Sequence, residues 1–253
     1  MSQIIAVTNQ KGGVGKTTTA VNVAYNLAKN GKKTLLVDLD PQGNATSGLG
    51  IDKSKLKAST KELLLGTKQL SESVMRSAYK DLDVLPTEPK LATVETELAP
   101  EKDRALRLKK ALSDSEYDVI LIDCPPSLGL LTVNALTASN SVIIPVQTEY
   151  YALEGLGQLL ETMKLVRQAL NPALSILGVV MTMHNTRTTL SSQVESQLKK
   201  HFSDRVFETA VPRNIRLAES PSYGKPVGEL DKWSKGARAY KTLTKEIMER
   251  LDG

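Results

Sequence analysis

Nine residues near the start of the chain, Gln10-Lys11-Gly12-Gly13-Val14-Gly15-Lys16-Thr17-Thr18, bring glycines, cations and hydroxyls together at a spacing that suits phosphate chemistry. Glycines let backbone N–H groups converge on an anion without side chains in the way. At this spacing Lys16 is expected to reach the β- and γ-phosphates of a nucleotide, and the Thr17 hydroxyl to sit on Mg²⁺. The match to G-x-x-x-x-G-K-[ST] is incomplete, because Gln10 stands where the first glycine belongs and Lys11 follows it. Two acidic stretches complete the set. Asp38-Leu39-Asp40-Pro41-Gln42-Gly43-Asn44 offers two carboxylates. Asp40, further along, is the expected catalytic group, able to position or activate water near the terminal phosphate or to hold the metal through water. The alternative for this pair is loop capping. Asp123 closes the apolar run 117–122 and is expected to bind Mg²⁺ through water beside Thr17.

These residues need a scaffold. Ile4-Ile5-Ala6-Val7 reads as a short buried strand, and over 17–30 Ala20, Val23, Ala24 and Leu27 recur at helical spacing. Strand, glycine-rich turn and helix also aim the positive end of the helix dipole at the bound anion. Thr34-Leu35-Leu36-Val37 predicts a second buried strand. Asp38 and Asp40 share a side if that strand runs on, and Pro41 stops it. Carboxylates at this end of a strand face the ligand crevice of a doubly wound sheet. Residues 45–58 are expected to be a mobile surface segment. Further strands are expected over 82–86, 117–123, 141–146, 174–181 and 206–211. Helices are expected over 60–65, 91–98, 103–112, 130–138, 188–202, 215–218 and 236–251, with a long one ending at 170. This alternation predicts the α/β class: a doubly wound, mostly parallel sheet with helices on both faces, in one domain over residues 1–253.

Composition narrows the function classes. Hydrophobic residues make up 40% and charged residues 24%, ordinary for a soluble globular chain. No apolar run approaches the ~20 residues of a membrane span. The start, Met1-Ser2-Gln3, lacks the basic region of a signal peptide, so a cytoplasmic location is expected. Cys124 is the only cysteine, which excludes an internal disulfide and fits a reducing compartment. It is expected to be a small buried residue rather than a reactive thiol. Two histidines, His184 and His201, argue against histidine-based metal or triad chemistry. The net charge is +5, and residues 180–253 carry 13 Lys and Arg against 9 Asp and Glu, whereas residues 1–179 carry 20 against 19. That balance fits a polyanion-binding face and fits ordinary solvated helices equally.

The run Lys11-Gly12-Gly13-Val14-Gly15-Lys16-Thr17 resembles the deviant Walker A motif of the ParA/MinD group of ATPases. With 37–50, 122–138, 145–156 and 211–226, the likeness spans the chain and points within that group to the chromosome- and plasmid-partitioning ATPases of the ParA/Soj family. The resemblance implies ATP and Mg²⁺ as cofactors, with Lys11, Gly12, Gly13, Val14, Gly15, Lys16, Thr17 and Thr18 around the phosphates. It sends Lys11 across a dimer interface to the partner's nucleotide, a role that spacing alone does not assign; the lesser alternative is a solvated loop lysine. It makes residues 38–44 a switch in which Asp40 is needed for hydrolysis, and lets the backbone of Cys124-Pro125-Pro126-Ser127 sense the γ-phosphate. Pro212, Arg213 and Asn214 would lie against the adenine, through the Pro212 backbone and the Asn214 amide. Tyr150, Tyr151 and Glu154 would face a dimer partner, with a packed helix start as the alternative.

The implied function is an ATP-bound homodimer that binds double-stranded DNA without sequence preference and hydrolyses ATP slowly. A ParB-like centromere-binding partner would stimulate hydrolysis and return monomers, driving chromosome or plasmid segregation on the nucleoid. A second role in regulating replication initiation stays open. Arg187 and Arg216 match positions that family members use for DNA. Lys199, Lys200, Lys225, Lys232, Lys235 and Arg238 are candidates from charge alone. Three rivals share the loop or the fold. A MinD-like membrane switch needs a terminal amphipathic helix, but Tyr240, Leu243, Ile247 and Leu251 read as a core-packing stripe beside acidic residues. A nitrogenase-iron-protein-like reductase needs two cysteines per subunit. A dethiobiotin-synthetase-like ligase takes a small-molecule substrate, against which the 40–50 switch segment and the basic C-terminal third argue.

Overall fold

Apolar side chains on both sides of the central strands require a sheet covered on both faces. Along the pleat, Ala6, Leu35, Val37, Ile120, Ile122, Val142 and Ile144 turn to one face, and Ile5, Val7, Leu36, Leu121 and Ile143 to the other. A computed structural model describes residues 2–149, 154–185 and 188–252. In chain order its elements are β1 (Gln3–Val7), α1 (Lys16–Lys29), β2 (Thr34–Asp38), α2 (Asn44–Gly48), α3 (Thr60–Leu65), α4 (Leu70–Ser73), β3 (Met75–Arg76), β4 (Leu82–Leu85), α5 (Val94–Glu97), α6 (Arg107–Leu112), β5 (Val119–Asp123), α7 (Leu130–Ala138), β6 (Ser141–Gln147), α8 (Glu154–Ala169), β7 (Ser175–Thr182), α9 (Thr189–Phe202), α10 (Ile215–Glu219), α11 (Val227–Leu230) and α12 (Lys235–Asp252). The sheet runs β3-β4-β2-β5-β1-β6-β7. Every pairing is parallel except the edge pair β3 and β4. The doubly wound, mostly parallel architecture is the expected one.

Helices α1, α2, α11 and α12 pack with Ile5 and Leu36 on one face. Helices α3 and α5 to α9 pack with Leu35 and Ile120 on the other. Tyr240, Leu243 and Ile247 of α12 are buried and Leu251 packs at their edge, so the C-terminal stripe is a core stripe. The Tyr240 hydroxyl meets the Thr19 hydroxyl of α1 at 3.1 Å. Among the described residues no helix is long and apolar enough to cross a membrane.

Four local expectations are corrected. Of residues 45–58, expected as a mobile surface segment, 50–57 are partly or fully exposed, but 45–49 are mostly buried. Ala45, Thr46 and Leu49 are buried in and after α2, and a 3₁₀ turn follows at Lys53–Lys55. Too short for a helical period of its own, this segment is drawn inward by the Asp38 carboxylate. The helices expected over 91–98 and 103–112 each split, with 3₁₀ turns at Pro89–Thr93 and Arg104–Leu106 preceding α5 and α6. At the second break the Asn134 amide of α7 intervenes: it accepts the Leu108 N–H at 3.2 Å and donates to the Arg104 carbonyl at 2.8 Å. The short antiparallel β3 was not expected at all.

Residues 206–211 do not form the expected last strand. They run beside β7, donating the Phe207 and Val211 N–H groups to the Val179 and Met181 carbonyls at 2.9 and 2.8 Å, but the bridges, at Val179–Val206 and, past both segments, at His184–Pro212, stay isolated. Between these, the N–H groups of Glu208 and Thr209 donate to the Glu246 carboxylate of α12 at 2.9 Å each, and the Thr209 hydroxyl donates to it too. A helix side chain thus takes the Thr209 donor, which alternates with those of Phe207 and Val211 and would otherwise go to β7. Tyr150, Tyr151 and Arg187 lie outside the described residues, as does the side chain of Glu154.

Glu246→Ala leaves those donors without their acceptor. It should lower the unfolding free energy by about 1–3 kcal/mol, read from urea denaturation of the full chain, with Glu246→Gln losing less.

Candidate functional site

The turn between β1 and α1 is held open by backbone geometry. Gly13 and Gly15 have φ of +73° and +89°, a region that side-chain-bearing residues enter only with strain. Gly15 caps α1. Two side chains fix the loop from outside it. The Asn9 amide donates to the Pro145 carbonyl at 2.7 Å and accepts the Lys11 N–H at 3.0 Å. The Thr182 hydroxyl at the end of β7 donates to the Val14 carbonyl at 2.8 Å. Lys16, only 6% exposed, curls back to donate to the Lys11 carbonyl at 3.0 Å. Burial lowers its ammonium below the ordinary lysine range, with Asp123 the largest opposing influence. Thr17 and Thr18 follow in the first turn of α1.

Opposite this loop, β2 and β5 deliver two carboxylates side by side, since Asp38 and Asp123 are register partners. Both are fully buried. They are satisfied very differently. Asp38 accepts the Asp40 N–H at 3.2 Å on Oδ1, and the Thr46 N–H and hydroxyl at 2.7 Å each on Oδ2. Burial pushes its carboxyl up to about 6 against the pull of those donors. Among the described residues neither Asp123 oxygen has a partner at ordinary hydrogen-bond geometry, and the Thr17 hydroxyl is the one hydrogen-bond donor near enough to favour its charged form. Burial, then the charge of Asp38, holds its carboxyl well above the usual range, and the Thr17 hydroxyl is its near neighbour. Asp40 is 8% exposed and accepts the Gln42 N–H at 3.0 Å. Its charge is felt by both Asp123 and Lys16. Cys124 is buried, and burial pushes its thiol up, so it is not a reactive thiolate.

An unpartnered buried carboxylate beside a hydroxyl is an oxygen donor set for a hard divalent cation. Among the described residues no group of three or more His, Cys, Asp or Glu forms a metal cage. A magnesium ion fits such a partial site, because it commonly keeps water and takes further oxygens from a bound phosphate. The residues present therefore fit a magnesium–nucleotide phosphate group.

Lys11 is not free. Its ammonium lies 3.5 Å from Glu149, which also lies 3.7 Å from Arg213. Glu149 thus links the glycine loop to the 212–214 segment, a connection with no signal in the sequence. Asn9, Thr46 and Thr182 were missed for the same reason. An open cleft of about 860 Å³ is lined by Met181, His184, Pro212 and Arg213 among others. Asn214 starts α10, and its side-chain oxygen is buried without a partner, facing Gly236 of α12.

The basic residues fall into two groups. Lys199 and Lys200 are on α9, which packs into the core on the α7 and α8 side. Arg216, Lys225, Lys232, Lys235 and Arg238 lie on or between α10 and α12, on the opposite side of the sheet. Arg216 pairs with Glu219 at 3.0 Å and Asp231 at 3.3 Å, and Lys199 with Glu195 at 2.9 Å. Lys225 lines a small cavity of about 280 Å³ with Thr17, Thr18 and Asn44.

A family model described as an AAA domain matches residues 2–176. The chain is 54% identical over 249 residues to the sporulation initiation inhibitor protein Soj of Bacillus subtilis, covering 98% of each. It is 49% identical over 252 residues to the chromosome partitioning protein ParA of Myxococcus xanthus, covering 99% of this chain and 89% of that protein. Among solved structures, cobyrinic acid a,c-diamide synthase from Mycobacterium smegmatis with bound ADP and magnesium superposes with a TM-score of 0.88 at 38% identity, covering 100% of this chain and 96% of that one. Identity of this level across nearly the whole length, on the fold and loop described above, places the chain in the ParA/Soj family of chromosome-partitioning ATPases.

Proposed function

We propose that this protein is an ATP-gated dimeric switch that binds double-stranded DNA without sequence preference, hydrolyses ATP to ADP and phosphate, and drives chromosome or plasmid segregation with a ParB-like partner. The observation that carries the nucleotide half of this reading is the Asp123 carboxylate, buried and unpartnered beside Thr17 and Lys16. The names of the relatives support the partitioning half. ATP with Mg²⁺ supplies the bond to be cleaved and the cation that neutralises phosphate charge.

The chain's residues divide the work. Backbone N–H groups of Gly12 to Lys16 and the positive end of α1 bind phosphate oxygens. Lys16 turns from the Lys11 carbonyl to the β- and γ-phosphates. Thr17 would hold the cation through its hydroxyl, and Asp123 through water, with Asp40 near enough to do the same. Asp40, held by its own turn, orients a water and accepts its proton on the carboxylate. Pro212 and Arg213 border the cleft that would receive the base, and Asn214 follows them at the start of α10. Lys11 leaves Glu149 for the nucleotide of a second copy. On the DNA side, Arg216 exchanges Glu219 and Asp231 for phosphate, with Lys225, Lys232, Lys235 and Arg238 beside it. Lys199 and Lys200 stand apart on α9. Arg187 belongs to the reading through the family resemblance. The protein works in the cytoplasm, on the nucleoid.

The membrane rival is disfavoured because the α12 stripe is already packed in the core. The small-molecule rival predicts phosphate release only with an added metabolite; this reading predicts release without one.

Asp40→Ala should cut ATP turnover by at least about 100-fold while leaving nucleotide affinity within about threefold, measured by phosphate release and by titration with a fluorescent ATP analogue. In DNA co-sedimentation the same variant should bind only with ATP, not with ADP or without nucleotide, and lose binding steeply as salt rises. Binding without nucleotide would show that the basic face is not gated. Arg216→Glu should abolish DNA binding while ATP-driven dimerisation, followed by light scattering, survives; loss of dimerisation would remove Arg216 from the DNA face.

A further inference from the structure

The segment that carries Asp40 is closed into a ring by one buried carboxylate. Asp38 Oδ1 accepts the N–H of Asp40 at the start of the segment, and Oδ2 accepts the N–H and hydroxyl of Thr46 at its end. Inside the ring, Gly43 donates its N–H to the Asp40 carbonyl at 2.8 Å and Gln42 donates its N–H to the Asp40 carboxylate at 3.0 Å. The Asp40 amide, carbonyl and carboxylate are therefore all held.

The Thr46 hydroxyl has a second duty. It accepts the Thr87 N–H at 3.0 Å, just beyond β4. A backbone N–H can only donate, so the hydroxyl proton is committed to Asp38 and the direction of both bonds is fixed. Asp38, Thr46 and Thr87 are all fully buried, and no water competes for these groups. The ring is thereby pinned to the sheet edge at two places, the end of β2 and the second residue after β4. Beyond the ring the chain after α2 is also confined: a Cβ on Gly224 would come within 2.8 Å of the Gly50 Cα.

We propose that Thr46 is a positioning residue for Asp40, its hydroxyl bridging the Asp38 carboxylate to the Thr87 amide so that residues 40–46 stay closed and the Asp40 carboxylate stays at the phosphate site. This rests on the reading of Asp40 as the group that handles the attacking water. Thr46 touches neither nucleotide nor water in this scheme. Its effect passes through Asp38, so it should show in turnover and not in nucleotide affinity.

Thr46→Val keeps the shape and removes the hydroxyl; Thr46→Ser keeps the hydroxyl. Thr60→Val is the control, since the Thr60 hydroxyl donates to the backbone carbonyls of Asp38 and Pro86 and lies outside the ring. With ATP and Mg²⁺, Thr46→Val should lower kcat about tenfold with the Kd of a fluorescent ATP analogue within about twofold, and Thr46→Ser should recover most of the rate. In nucleotide-free protein, amide exchange of Asp40 and Thr46 should be at least about tenfold faster in Thr46→Val and unchanged in Thr60→Val. The proposal is overturned if Thr46→Val turns over at the wild-type rate while Asp40→Ala is inactive, or if Thr46→Val and Thr60→Val lower kcat alike. Wild-type turnover by Asp40→Ala would instead sink the reading of Asp40, and the positioning role with it, whatever Thr46 does. Should Thr46→Val not fold, exchange in the wild-type chain decides. The Asp40, Thr46 and Thr87 amides should open in one event, and independent opening would overturn the ring.

Discussion

Two carboxylates buried side by side at the end of neighbouring strands are the constraint around which this molecule is arranged. Asp38 and Asp123 face the same low-dielectric interior, where an ionised acid without partners is costly. The fold resolves the two cases differently. Asp38 is given three donors from its own chain, and accepting them folds the following segment into α2. Asp123 has no partner at ordinary hydrogen-bond geometry among the described residues, and the groups that act on it are the Asp38 carboxylate, the Thr17 hydroxyl, Asp40 and the Lys16 ammonium. One acid organises the protein; the other is left for something that arrives. Burial likewise lowers the Lys16 ammonium, against the raising influence of Asp123 and Asp40.

The sheet provides the rigidity that such a pair requires. Parallel strands covered on both faces put every carboxyl-end loop on one edge, so β1, β2 and β5 present their loops together. Loops from distant parts of the chain are then tied to one another rather than to solvent. Asn9 reaches Pro145, Thr182 reaches Val14, and Thr46 reaches Thr87. Helices α1 and α12 meet through Thr19 and Tyr240, which joins the glycine loop's helix to the C-terminal end of the chain. The basic residues of α10 to α12 thus sit on elements in contact with the nucleotide-side helix, while Lys199 and Lys200 belong to the opposite layer.

Lys11 and Glu149 illustrate a weaker kind of order. Both are partly exposed, and at 3.5 Å such a pair contributes little stability. A contact of that strength can be exchanged for another anion, which suits the role proposed for Lys11 at the nucleotide of a second copy.

The sequence by itself determined the architecture and the chemical inventory. Apolar runs ending in acids, separated by helical repeats, leave few arrangements other than a doubly wound sheet. Glycine, lysine and threonine at fixed local spacing specify a phosphate loop, because every contact involved lies within one strand–turn–helix unit. Tertiary structure alone decided the rest. That Asp38 would be consumed internally while Asp123 stayed unpartnered depends on Thr46 and the strand register. That 206–211 would break its ladder at Thr209 depends on Glu246, 37 residues away. That the helix over 103–112 would break depends on an amide from α7. Each is a polar side chain satisfying backbone from far along the chain, and such bonds leave no period or composition behind. They arise only once packing has excluded water and obliged every buried donor to find an acceptor.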